Sequence, residues 1–314
     1  MDSGSLPPDA VRVLLTGFGP SFLYDENPSW LAAKPLNDHA FPLPPTPDLN
    51  PHLPKPVPFD RPRLVHITSV CLPATYQAVL DIAPGFHAQP PILPPDEDPA
   101  HRCEPPPDDG YDFIFHLGQA GRGVLRLERV AHRTGYRLKD KLGEHAPLCE
   151  THMEHIPEPP KRGFDKGYDN FADDIHTAIH VEKLVSDMKL EDIPYMYSSL
   201  DAGHHVSDFL YYCSLAEAKR AAQRPEKPKQ TKVLFMHCPP VGNPLTTDQV
   251  ITAVKKIVEW VAKEEILSPD PPEPPRVEFV VREGGRRDGG TGGGGPPGSG
   301  GPPPPPAGGG PSHS

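Results

Sequence analysis

The run "TKVLFMHCPPVGNPLTTDQVITAVKKIVEWVAKE", residues 231–264, carries two periodicities separated by a loop. Its first seven residues are an apolar stretch of strand length, and a Pro- and Gly-rich turn follows. In the last part, Val250, Val254, Ile257 and Val261, with Ile266 beyond, recur at near-helical spacing, while Lys255, Lys256, Glu259 and Lys263 fill the other side. One strand, one loop and one amphipathic helix in this order make half of a crossover unit.

The same alternation extends outward along the chain. Residues 11–18, 63–70, 111–118, 194–199 and 276–281 read as further strands, and 29–37, 74–83, 176–189 and 204–221 as further helices. Strands joined through crossover helices pair in parallel, so the expected fold is α/β: a three-layer domain with a twisted, mostly parallel central sheet and helices on both faces. Sheets of this kind bind ligands at the carboxyl ends of their strands. Three such ends are loops rich in Gly or Pro, "TGFGP", "HLGQAGRG" and "MHCPPVG".

Composition bounds the rest. At 314 residues and 36% hydrophobic content the chain can bury a sizeable core. Its net charge of -11 and dispersed basic residues exclude a phosphate-binding stripe, so nucleic acid is not an expected partner. No window approaches a membrane span and the N-terminus lacks a basic region followed by a long apolar one, so no membrane association is expected. Cys71, Cys103, Cys149, Cys213 and Cys238 show no CxxC spacing, which suits reduced thiols and a cytoplasmic location. The 47 prolines gather in residues 42–62, 88–109 and 268–275 and in the tail, and read as loops and insertions. The expected organisation is a flexible 1–10, one domain over 11–282, and a disordered Gly- and Pro-rich 283–314.

Several side chains have the chemistry for a site. "GQAGRG", 118–123, lacks the GK[ST] ending of a phosphate loop and runs into a strand rather than a helix. "CETHMEH", with Cys149, Glu150, His152 and His155, offers metal-type ligands but has no second cluster at a recognised spacing, so neither a metal nor a cofactor is expected. Glu128 interrupts an otherwise apolar strand, and it either faces solvent or has a partner such as an imidazole. His237 ends an apolar strand, where a hydrogen-bonded structural histidine is the plainer reading. In "SLDAGHHVSDFLYYCSL", 199–215, Ser207 and Cys213 are possible nucleophiles and His204 and His205 possible bases. Gly203 near a helix N-cap puts Ser207 in the first turn, where the helix dipole stabilises an anion; Cys213 lies nearly two turns further on.

Taken together, "TGFGP…NPSW", "GQAG…LERVAHRTGY", "SLDAGHHVSDFLYYCSL" and "VLFMHCPPVG" resemble the pyroglutamyl peptidase I family of cysteine peptidases, in family order and over most of residues 11–265. The resemblance implies a Cys–His–Glu triad on one α/β domain and removal of N-terminal 5-oxoproline from peptides. By its motifs, the glutamate falls on Glu128 and the histidine on His237, and the cysteine position is occupied by Ser207. Phe18 and Gln119, with Phe22 beside them, carry over as the residues that hold the lactam ring. The expected partners are peptides with an N-terminal pyroglutamate, with further copies of the chain possible as an oligomer.

The sequence departs from the family at related places. Ser21 stands where an aromatic usually follows the Pro of the first loop, His205 replaces an aromatic two residues before the nucleophile position, and the loop from Gln119 to Glu128 is one residue shorter. A serine hydroxyl is not ionised in advance as a cysteine thiol is, so it needs proton removal by His237 during attack. Two functional expectations follow: a hydrolase with Ser207 as nucleophile, His237 as base and Glu128 orienting it, or a catalytically silent homologue that binds 5-oxoproline-ended peptides or a protein partner.

Overall fold

A computed structural model describes residues 6–22, 24–44, 62–95, 101–149, 160–224 and 230–268. The strand expected at 276–281, the tail, and residues 150–155 of the "CETHMEH" tract lie outside the described residues. The elements run β1 Val11–Phe18, α1 Pro28–Ala33, β2 His39–Leu43, β3 Arg63–Leu72, α2 Tyr76–Phe86, β4 Phe113–Gln119, β5 Leu125–Glu128, β6 Val130–His132, β7 Asp174–His176, α3 Val181–Leu190, β8 Met196–Ser199, α4 Val206–Ala222, β9 Lys232–Cys238 and α5 Thr247–Val261.

Seven strands form the central sheet in the order β2-β3-β1-β4-β9-β5-β8. Its middle is parallel: β1 pairs with β3 and β4, and β4 with β9. Both flanks reverse. β2 is antiparallel to β3, and β5 is antiparallel to β9 while β8 runs parallel to β5. β6 and β7 make a separate two-stranded ladder.

Strand pleating sorts the core into two layers. Val13 and Leu15 of β1, Phe113, Phe115 and Leu117 of β4, and Leu234, Met236 and Cys238 of β9 pack with α1, α3 and α5. On the other face, Leu14, Ile114, Val233 and Phe235 pack with α2 and α4. The expected three-layer α/β architecture is observed, with helices on both faces.

Local chemistry sets the helix starts. Asn27 caps α1 by accepting from the backbone N–H of Ser29 at 3.1 Å, and its amide donates to the Gly19 carbonyl at 3.1 Å, which fixes the "TGFGP…NPSW" loop against the helix. Thr246 and Gln249 form a reciprocal capping box at the start of α5. α5 gives way at Ala262 to one wider turn, Ala262–Leu267.

Three boundaries depart from expectation. Residues 39–43 form an edge strand although Pro42 lies in the stretch read as a loop; at an edge the missing N–H breaks no interior ladder. The helix expected from 176 begins at Val181, because Asp174–His176 pair with β6. β5 follows β4 through a short loop rather than a helix, and so enters the expected, mostly parallel sheet antiparallel to β9.

Candidate active site

Pleating brings three side chains to one face of the sheet. On β9, Cys238 belongs to the α5 side, so His237 points to the α4 side; on β5, Leu125 and Leu127 belong to the α5 side, so Arg126 and Glu128 point with His237. His237 Nδ1 lies 2.7 Å from Glu128 Oε1. Glu128 is fully buried, and its Oε1 accepts the Nδ1–H of His237 and holds the ring in one orientation.

Arg126 completes this group, and sequence reasoning missed it. Its Nε donates to the same Glu128 Oε1 at 2.6 Å, and its Nη2 stands 3.3 Å from His237 Nδ1. Burial pulls the guanidinium pKa down, but the charge and hydrogen bond of Glu128, together with those of Tyr197, outweigh burial and leave it raised. The signal was available: residues i and i+2 of a strand share a face, so Arg126 was the neighbour to expect for a buried Glu128. Glu128 Oε2 has no hydrogen-bond partner among the described residues.

Ser207 sits in the first turn of α4, immediately after Val206. The first intrahelical bond is Phe209 N–H to the His205 carbonyl at 2.9 Å, which leaves the N–H groups of the first turn outside the helix's own ladder. Gly118 lets this turn approach the sheet. A Cβ there would lie 2.6 Å from the Phe235 ring and 2.9 Å from Ser207 Oγ. The Tyr211 hydroxyl donates to the Glu128 carbonyl oxygen at 2.9 Å, one turn along the same helix, and so ties α4 to the end of β5. No hydrogen bond joins Ser207 to His237 among the described residues.

Asp208, the next residue, is fully buried. Its Oδ1 accepts from the backbone N–H of His132 at 3.0 Å, and its Oδ2 lies 2.8 Å from His132 Nδ1. His204, with a left-handed φ of 46°, donates its backbone N–H to Oδ2 at 3.3 Å. His132 and Asp208 are 76 residues apart in sequence, and no local pattern announces their pairing.

The expected binding residues take different positions. Gln119, at the end of β4, receives a hydrogen bond on Oε1 from Ser21 Oγ at 3.3 Å, which links the loop after β1 to the end of β4. Phe22 is 73% exposed beside it in sequence, whereas Phe18 is 4% exposed within the α2-side core. His205 reaches the Lys139 carbonyl with Nε2 at 3.0 Å and packs edge-on against Tyr76.

The alternative thiols are poor nucleophiles. Cys213 and Cys238 are fully buried, and burial pushes both up to about 12. Cys238 also points to the opposite face from His237. No disulfide joins the five cysteines.

No protein-family model matches the chain. Its sequence is 24% identical to pyroglutamyl-peptidase 1 of Mus musculus over 248 residues, 79% of this chain and 88% of that protein, and equally similar to the Homo sapiens protein. Among solved structures, it is similar to pyroglutamyl peptidase I from Bacillus amyloliquefaciens, with a TM-score of 0.51 and 23% identity over 79% of this chain and 95% of that one. Pyrrolidone carboxyl peptidase from Fervidobacterium islandicum gives a TM-score of 0.53 and 22% identity over 80% and 98%. The structural likeness carries the fold, and the sequence likeness bears out the resemblance to the pyroglutamyl peptidase I family.

Proposed function

We propose that this chain, similar in sequence and fold to the pyroglutamyl peptidase I family, binds peptides that begin with 5-oxoproline and holds their hydrolysis far below the rate of a thiol site. The observation that carries this reading is the buried His237–Glu128 pair, 2.7 Å apart, on the sheet face against which the first turn of α4 packs with Ser207. With Nδ1–H fixed by Glu128, His237 keeps Nε2 as the proton acceptor. In the slow reaction, Ser207 Oγ attacks the pyroglutamyl carbonyl carbon as its proton passes to Nε2. That proton leaves with the amine as the C–N bond breaks, and water hydrolyses the ester.

Two features restrain this sequence of steps. A cysteine at a helix start beside an imidazolium has its pKa lowered from about 8.5 to roughly 3.5–7.5 and attacks as a preformed thiolate, whereas the serine proton must move in the transition state. The second is that Arg126 shares Glu128 Oε1 with His237, so one carboxylate oxygen is divided between two donors. Gln119, steadied by Ser21, with Phe22 and the packed ring of Phe18, are the groups we assign to the lactam. A cytoplasmic location agrees with the absence of disulfides, and no helix among the described residues is long and apolar enough to cross a membrane.

Calorimetric titration tests the binding half of this reading. A peptide beginning with 5-oxoproline is expected to bind at least about tenfold more tightly than the same peptide beginning with proline, which lacks the lactam carbonyl. Gln119→Ala should erase that difference. Equal affinities for the two peptides would overturn the reading.

A further inference from the structure

His132, His204 and Asp208 come from three separate places, the end of β6, the turn before α4, and the first turn of α4. Their ligand atoms all lie within 4.8 Å of one another. Asp208 Oδ2 is 2.8 Å from His132 Nδ1 and 3.7 Å from His204 Nδ1. In a four-coordinate zinc site, with metal–ligand distances of about 2.0–2.2 Å, neighbouring ligand atoms stand roughly 3.3 Å apart. The two carboxylate–imidazole separations bracket this spacing, and the third edge, between the two imidazole nitrogens, lies within 4.8 Å, so small side-chain rotations convert the cluster into three corners of a tetrahedron.

We infer that His132, His204 and Asp208 form a binding site for a divalent transition-metal ion of the zinc class. Two imidazoles and one carboxylate are the donor set such ions take when one position stays open to water. The carboxylate is buried, while the imidazoles are reached from outside: the side chains of His132 and His204 are 17% and 41% exposed. The ion replaces the proton held between His132 Nδ1 and Asp208 Oδ2: a doubly protonated ring gives that proton to solvent and keeps the one on Nε2, and a neutral ring ends with its single proton on Nε2. His204 Nδ1, now 3.2 Å from the Thr134 carbonyl, exchanges that contact for the ion.

The surroundings orient the ligands as outer groups do in metal sites. The backbone N–H of His132 holds Asp208 Oδ1, leaving Oδ2 for the ion. The Tyr136 hydroxyl donates to the His132 carbonyl and fixes the end of β6. Gly135 leaves room for the second ring, because a Cβ there would lie 2.9 Å from His204 Nδ1. The two rings stand with centroids 4.3 Å apart, tilted by 37°. A bound ion joins β6 to the turn that precedes Ser207 and fastens the start of α4. This inference does not depend on the reaction proposed above.

Equilibrium dialysis against zinc chloride, with metal counted by mass spectrometry, tests it on the full chain. The wild type is expected to bind one zinc per chain at this site in the micromolar range or tighter. Cobalt in its place should give the intense visible bands of tetrahedral coordination. His204→Asn, which suits the left-handed φ while removing the imidazole, and His132→Gln should each weaken binding at least about tenfold, with circular dichroism unchanged. His152→Ala with His155→Ala, in the separate "CETHMEH" tract, should leave this binding in place. Absence of stoichiometric binding, equal affinity in His204→Asn, or loss only in the His152/His155 variant would overturn the assignment.

Discussion

At the scale of single residues, the balance of charge around Glu128 decides what the site can do. One carboxylate oxygen serves both His237 and Arg126, at 2.7 Å and 2.6 Å. Arg126→Gln removes the cation from a fully buried carboxylate, and a destabilisation of roughly 1–3 kcal/mol is expected in urea denaturation. No change in the midpoint would mean that Arg126 is bound elsewhere in solution. His237 is the residue whose loss should matter most once a thiol is present: in a Ser207→Cys background, His237→Ala is expected to lower kcat/KM by about 10²–10⁴-fold. Retained activity there would remove His237 from the proton path.

At the scale of elements, two contacts position the site and both can be probed. α4 rests on the sheet where β4 has no side chain, so Gly118→Ala forces a methyl against Phe235 and Ser207. The expected cost is about 1–3 kcal/mol, together with weaker binding of 5-oxoproline peptides. An unchanged melting temperature would show that the helix start yields freely. On the other face, Glu265 joins the turn after α5 to the start of α3 and to β9, through the His180 backbone N–H at 2.9 Å and Lys232 Nζ at 3.1 Å. Burial alone would raise its pKa, but the His180 and Lys232 interactions outweigh burial and hold it below the ordinary 4.5. A lowered folded value means stabilisation that is present above that ordinary value and lost as pH falls through the folded one. Glu265→Gln should therefore destabilise at pH 7 and cost progressively less on acidification below about pH 4.5. A constant difference from pH 7 to pH 3 would contradict this.

At the scale of the whole molecule, the sheet separates two cores and buries the thiols that might have competed with Ser207. Cys213 and Cys238, pushed up to about 12 by burial, should resist iodoacetamide in the native protein and react only in denaturant, as peptide mapping would show. Rapid native labelling of either would mean that the layers open locally. Much of this architecture was legible in the sequence, because periodicity is local: β1, β4, β9, α4 and α5 fall close to where their apolar patterns end. The reversal of β5 was not, because strand direction follows from which neighbour a strand meets, and a short return loop permits antiparallel pairing. Glu128, His237 and Ser207 were legible through motif resemblance and strand or helix position. The linkage of Asp208 to His132 was not, since it joins two residues with no shared local pattern.

The central claim is that the nucleophile position, and not the fold or the His237–Glu128 pair, limits the chemistry. Release of aminomethylcoumarin from its pyroglutamyl amide by Ser207→Cys and by the unaltered chain tests this most directly. Turnover in Ser207→Cys at least about 10²-fold above the wild type, abolished by thiol alkylation, is the predicted result. Equal rates, or no activity in Ser207→Cys despite intact folding and peptide binding, would contradict it.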